Sequence, residues 1–241
     1  MTRSTSTLLC ALLALCVCGS LRADQTPEAK TFMASRGASL AADALDKSLA
    51  EPWKVAKGKW EVADGAIRVS EIPAEMHGAA ARRPLPTRNF VMQVSFRFDG
   101  GKGISVSVND AKGHCCRAAV APKLLTVMKD SHDHNKDDKM ARLDNQPLTL
   151  EPGTWHTLVL EALGPELVAS IDGEHVTYGR HESIDIDKKD FGLAVTGDSA
   201  SFKDLRVWEA TPRPDWESTK ATLHPNPEAP KSPSGKSAAA K

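Results

Sequence analysis

Cysteine is scarce where a fold would need it. Of five cysteines in 241 residues, Cys10, Cys16 and Cys18 sit near the start and only Cys115 and Cys116 lie further in, side by side. A disulfide between neighbours closes a small strained ring, so no disulfide framework is expected. The pair reads as two strand thiols, one facing inward and one outward. Charge of one sign is also missing: 31 basic side chains face 31 acidic ones. That balance offers no field for nucleic acid or an anionic membrane. No apolar run reaches the roughly 20 residues that a membrane-spanning helix needs, and no long amphipathic helix is visible. A Gly-x-Ser-x-Gly elbow, a P-loop and a dinucleotide-binding glycine motif are all lacking.

The first 23 residues carry the clearest positive signal. Arg3 precedes an apolar run with Leu8, Leu9, Leu12, Leu13 and Leu15, and Ser20, Leu21, Arg22 and Ala23 lead into Asp24 and Gln25. This is the layout of a secretory signal peptide cleaved after Ala23, so export to the periplasm, cell surface or medium is expected. Cleavage would remove Arg3 and Arg22 and no acid, leaving 29 basic and 31 acidic side chains.

Residues 24–50 are alanine-rich, with weak helical character around 40–49, and read as a linker or a poorly formed first element. From Trp53 the period becomes two. Phe90, Met92, Val94, Phe96 and Phe98 occupy every second position, with Gln93, Ser95 and Arg97 between them. That is a long strand with one buried and one wet face. Ile104, Val106 and Val108 alternate with Ser105, Ser107 and Asn109. Asp64-Gly65 between alternating apolar residues marks a hairpin, as does the Leu163-Gly164-Pro165-Glu166 turn. Residues 202–208 make a last strand, bulged near Asp204 where the apolar period slips by one. About ten short strands with turn residues at each boundary specify an all-β antiparallel β-sandwich over residues 51–210. Residues 211–241, rich in Pro, Ala and Lys, read as a disordered tail, with Trp216 packing back on the domain.

Three groups of residues are candidates for chemistry. Asp130, His132, Asp133, His134, Asp137 and Asp138 crowd one loop. Imidazole and carboxylate are ligands for zinc and other divalent ions, which makes Asp130, His132, His134 and Asp137 a candidate metal set and His132 and His134 candidate catalytic groups. The alternative is a solvated turn, flanked by Lys129, Lys136 and Lys139. His156 heads an apolar face as an edge-of-core histidine, while Glu161 points the other way and is a candidate acid. Among Trp53, Trp60, Trp155 and Trp208, the last is the best exposed candidate for stacking on a sugar ring.

The segments WKVAKGKWEVADGAIRV (residues 53–69), GTWHTLVLEALGPELVASIDGEHV (153–176) and FGLAVTGDSASFKDLRVWEA (191–210) together resemble the 3-keto-disaccharide hydrolase-like domains, and KDSHDHNKDDK (129–139) resembles a planctomycete-type secreted subgroup of them. The resemblance implies a concanavalin A-like jelly roll. It also implies removal of the acidified C2 proton of a keto sugar by a base, with a cation or donor for the developing charge; the loop holding His132 and His134 is the local cluster that supplies both. Many family members carry an aromatic-Glu-x-Gln strand where this sequence reads HCCRAAVAP (114–122), without an acid. That difference favours a non-catalytic module that binds a carbohydrate or glycan.

Overall fold

The structure, a computed structural model, describes residues 26–132 and 137–223. The expected leader, His134 and the chain after residue 223 lie outside the described residues. Fifteen strands follow one another: β1 (Ala34–Asp43), β2 (Lys54–Lys57), β3 (Lys59–Ala63), β4 (Ala66–Ser70), β5 (Ala79–Thr87), β6 (Phe90–Phe98), β7 (Gly101–Asp110), β8 (Gly113–Ala121), β9 (Leu124–Lys129), β10 (Ala141–Pro147), β11 (His156–Leu163), β12 (Glu166–Ile171), β13 (His175–Arg180), β14 (Lys188–Gly197) and β15 (Ser199–Pro212). A helix, α1 (Trp216–Leu223), comes after them.

The strands form two antiparallel sheets. One runs β13-β12-β11-β6-β15-β4-β3, with β1 paired to β15, and the other runs β10-β9-β8-β7-β14-β5-β2. The alternating apolar residues of β6, β7, β11, β12 and β14 meet between them. Phe90, Phe96, Phe191 and Phe202 are fully enclosed there. Each such side chain contributes roughly 1.5–3 kcal/mol on burial, so the sandwich holds without a disulfide, and both cysteines are free.

Turn chemistry sets the register where the sequence indicated it. Asp64 and Gly65 both adopt positive φ (52° and 70°), the twist a tight hairpin requires, and Val62 pairs with Ile67 across it. Asp204 has φ 51°, and the β15–β6 register shifts between Lys203 and Arg206, which is the bulge the slipped period implied.

Several expectations are corrected. The two cysteines do not alternate. Val108 pairs with Cys116 and Asn109 with His114, so Cys115 is the extra residue of a bulge and both thiols are buried. Residues 34–43 are strand, not weak helix or linker, because β1 takes up the part of β15 that β4 leaves unpaired. Residues 211–212 close β15 and 216–223 form α1, so the packed chain reaches past 210. Trp216 is buried against Tyr178, as expected of it.

The wet face assigned to β6 is buried. Gln93 and Ser95 are 0% and 2% exposed, because residues 26–33 cross the outside of this sheet as a strap. Gln93 receives the Ala29 N–H (2.9 Å) and donates to the Pro27 carbonyl (3.0 Å). The outer face of the eight-stranded sheet is therefore covered by the strap and by α1. Among the described residues no segment crosses the outer face of the seven-stranded sheet.

Candidate functional site

Strand register builds the open face residue by residue. Pairing brings Lys54 opposite Arg82, Arg82 opposite Gly192, Gly192 opposite Ser107, Ser107 opposite Arg117, Arg117 opposite Met128 and Met128 opposite Arg142. Side chains on one sheet face repeat every second residue, so these seven positions make one row across all seven strands. The neighbouring row is made of small residues: Ala80, Ala194, Ser105, Ala119 and Thr126. A ridge of long cationic side chains thus stands beside a shallow trough.

Three hollows lie along this face. One of about 360 Å³ is lined by Lys102, Ser105, Arg117, Ala119, Thr126 and Arg142, among others. A middle one of about 220 Å³ shares Ser105, Arg117 and Ala194 with it and adds His77, Arg82 and His114. A third of about 360 Å³ shares Arg82 and adds Lys54, Lys189 and Asp190. Gly192 keeps the middle floor low, since a Cβ there would lie 3.0 Å from Ser107 Oγ and 3.5 Å from Arg82 Cγ. Near one end, the buried atoms His114 Nδ1 and Asn109 Oδ1 have no partner among the described residues.

Arg117 is anchored from below. Its Nε lies 2.8 Å from both oxygens of Asp130, which is 1% exposed. Fixing the guanidinium this way removes part of the entropy cost of using it on a ligand.

The candidates from the loop go elsewhere. Asp130 is committed to Arg117. His132 is held between two carboxylates, with Nε2 2.8 Å from Asp110 and Nδ1 2.6 Å from Asp138, while Asp138 also pairs with Lys129. Both ring nitrogens and both Asp130 oxygens are thereby engaged in ion-pair networks. Asp137 is described and His134 is not. Among the described residues no group of three or more His, Cys, Asp or Glu is arranged to hold a metal.

Glu161 faces away from the core, as alternation required, yet it is fully buried under the strap. Its carboxylate accepts the backbone N–H groups of Phe32, Met33 and Ala34 at 2.8, 2.9 and 2.7 Å. Burial pushes this carboxyl above its ordinary value, and the three N–H donors and Arg36 offset only part of that. It anchors the strap and does not reach an open site.

Trp208 is likewise not an exposed platform. It is 8% exposed and lies under Arg36 and Arg206. The other indoles are engaged too: Trp53 donates to Asp43 (2.8 Å) and packs edge-on to Phe191, Trp60 donates to the Lys57 carbonyl (2.9 Å), and Trp155 lies between Arg97 and Lys203. His156 is the edge-of-core histidine expected, with Nδ1 2.7 Å from Asp172.

The fold is that of a galectin-like, concanavalin A-like sandwich. Solved structures similar to it include a Bacillus subtilis protein of unknown function with a galectin-like fold (TM-score 0.57, 13% identity, covering 75% of this chain and 100% of that one). The carbohydrate-binding module CBM66 of Bacillus subtilis is another (TM-score 0.53, 15% identity, 65% and 95%). A third is an endo-β-galactosidase of Clostridium perfringens that releases GlcNAcα1-4Gal (TM-score 0.55, 12% identity, 76% and 64%). At these identities the likeness concerns the sandwich itself. No protein-family profile matches the sequence, and no curated protein matches it.

Sequence reasoning missed Lys54, Arg82, Arg117 and Arg142. Arg117 did interrupt a run of small residues in β8, which was the available signal. The alignment of all four depends on the pairing of six neighbouring strand pairs, which no local pattern encodes.

Proposed function

We propose that this chain is an exported carbohydrate-binding sandwich that holds a glycan on the outer face of its seven-stranded sheet. The observation that carries the reading is the run of three hollows with shared lining residues, on a face that no described segment crosses, floored by Ser105, Ser107, Ala119, Gly192 and Ala194. Hydroxyls and guanidinium groups there are suited to sugar hydroxyls, and small residues leave room for a ring. The sandwich is shared with a carbohydrate-binding module and a glycosidase, which supports the same reading.

The test is retardation of the purified protein in native gels cast with a panel of neutral and acidic polysaccharides. Ala194→Leu fills the trough without changing charge and is expected to weaken any retardation by about tenfold, the equivalent of one lost close contact. Unchanged retardation in that variant would move the site off this face.

The hydrolytic reading, cleavage of a 3-keto-glycoside, is tested in parallel. Incubation with a 3-keto-disaccharide, with divalent metal and again with chelator, is expected to give no turnover. Turnover lost on His132→Ala would replace the binding reading with the enzymatic one. Export is part of the proposal, and N-terminal sequencing of the secreted protein is expected to begin at Asp24.

A further inference from the structure

We propose that the ligand is an extended acidic polysaccharide, bearing carboxylate or sulfate groups and lying across the strands; this deepens, and rests on, the binding reading above. The hollows are lined by seven lysines and arginines and by one carboxylate, Asp190. Arg83 is paired with Asp43 and Arg117 with Asp130, which leaves Lys54, Arg82, Lys102, Arg142 and Lys189 without an ion pair among the described residues. The whole chain is balanced in charge, so this excess belongs to the face and not to the protein at large.

The contrast with other arginines sharpens the point. Away from the face, Arg36, Arg88, Arg97, Arg180 and Arg213 each pair with a carboxylate, while Arg68 donates to Ser199 Oγ and Arg206 to the Thr26 carbonyl. On the open face Lys54, Arg82 and Arg142 make no ion pair among the described residues, and all three are exposed. Cations left unpaired in one register row are ready for anions delivered by a ligand. Guanidinium forks recognise carboxylate and sulfate-type oxygens through paired, charge-assisted hydrogen bonds.

Spacing indicates a polymer. Neighbouring strands lie about 4.8 Å apart. The row from β2 to β10 crosses six strand intervals and so spans about 29 Å. Arg82 and Arg117 are three strands apart, about 14 Å, and Arg117 and Arg142 two strands apart, about 10 Å. A single sugar reaches at most the neighbouring pair Lys54 and Arg82, whereas a chain with repeated anionic groups reaches all of them. Ser105, Ser107 and Thr126 are then placed for the hydroxyls between.

Nucleic acid is the other extended polyanion. Binding a single strand relies on aromatic side chains that stack on bases, and no aromatic side chain lines these hollows apart from the two imidazoles of His77 and His114. The same absence disfavours a neutral sugar held by stacking.

The experiment measures affinity of the purified protein for dextran sulfate, polygalacturonate, neutral dextran, xylan and laminarin, and poly(dT), at low and high sodium chloride. The variants are Arg82→Gln/Arg142→Gln and a charge-matched control, Arg180→Gln/Arg213→Gln, remote from the face. Arg117 is left intact because its removal would strand the buried Asp130. We expect dextran sulfate, polygalacturonate or both to bind, with preference between them naming sulfate or uronate. The groove double variant is expected to lose about tenfold per removed cation, the control to match wild type, and salt to weaken binding steeply. Neutral polysaccharides bound as well as acidic ones, blocked by Ala194→Leu but not by the double variant, would overturn the acidic ligand and leave the carbohydrate reading standing. Preference for poly(dT), or no binding to any probe, would overturn both.

Discussion

Glu161 fastens three consecutive backbone N–H groups with one carboxylate. In Glu161→Gln one acceptor oxygen becomes an amide that donates, and it would face donors that are themselves buried. Leaving such groups unsatisfied costs about 2–4 kcal/mol, so the denaturation midpoint is expected to fall by that equivalent while glycan retardation persists in the folded fraction. The side of the strand was legible in the sequence, because alternation put Glu161 opposite Leu158 and Leu160. Its burial was not, since the strap that covers it has no periodicity of its own. Trp208 misled for the same reason. The thiols offer a second check at this scale. Both cysteines are enclosed by the bulge and its surroundings, so a thiol reagent is expected to find no rapidly reacting group in the native protein and both after unfolding. Fast modification of the native protein would mean that the bulge opens.

Helix α1 docks through a small polar hub. Glu166 accepts from Tyr178 Oη (2.6 Å), Trp216 Nε1 (2.9 Å) and Lys220 Nζ (3.1 Å). Burial alone would raise this carboxyl, but the three donors and the Lys220 charge outweigh it and hold the group below its ordinary 4.5. A carboxyl depressed on folding contributes stability above its unfolded value and loses it as pH falls through the folded one. Protection against hydrogen exchange in residues 216–223, measured relative to the intrinsic rate at each pH, is therefore expected to fall as the pH drops below about 4.5, ahead of the sandwich strands. Glu166→Gln should weaken protection already at neutral pH and flatten the acid response. Elements differed in legibility along similar lines. Hairpins set by Asp-Gly pairs and strands with large alternating residues were visible. Strands β1, β5 and β10 were not: their residues are mostly small or polar, with a single leucine in each, and β5 contains Pro84 and Pro86. The small side chains that hid β5 from pattern reading, with those of β8, are the ones that lower the floor of the trough.

At the scale of the molecule, the two sheets have opposite fates. One is covered on its outside by the strap and α1, and its polar residues are used up in holding them. The other has an outer face that no described segment crosses, with Lys54, Arg82 and Arg142 unpaired among the described residues and Arg117 held by Asp130. The sandwich class follows from period and turn chemistry alone. The groove does not, because it arises from residues as far apart in sequence as Lys54 and Arg142 that register brings into line. The Ala194→Leu and Arg82→Gln/Arg142→Gln variants belong to this scale: each alters one face and is expected to leave thermal unfolding close to wild type.

The strap enters over the back of the eight-stranded sheet at residue 26, and α1 leaves over the same back at residue 223. A label or surface attached at residue 26 or at residue 223 therefore sits behind the protein, and immobilisation at either position presents the groove to the surrounding liquid like the open palm of a hand held at the wrist.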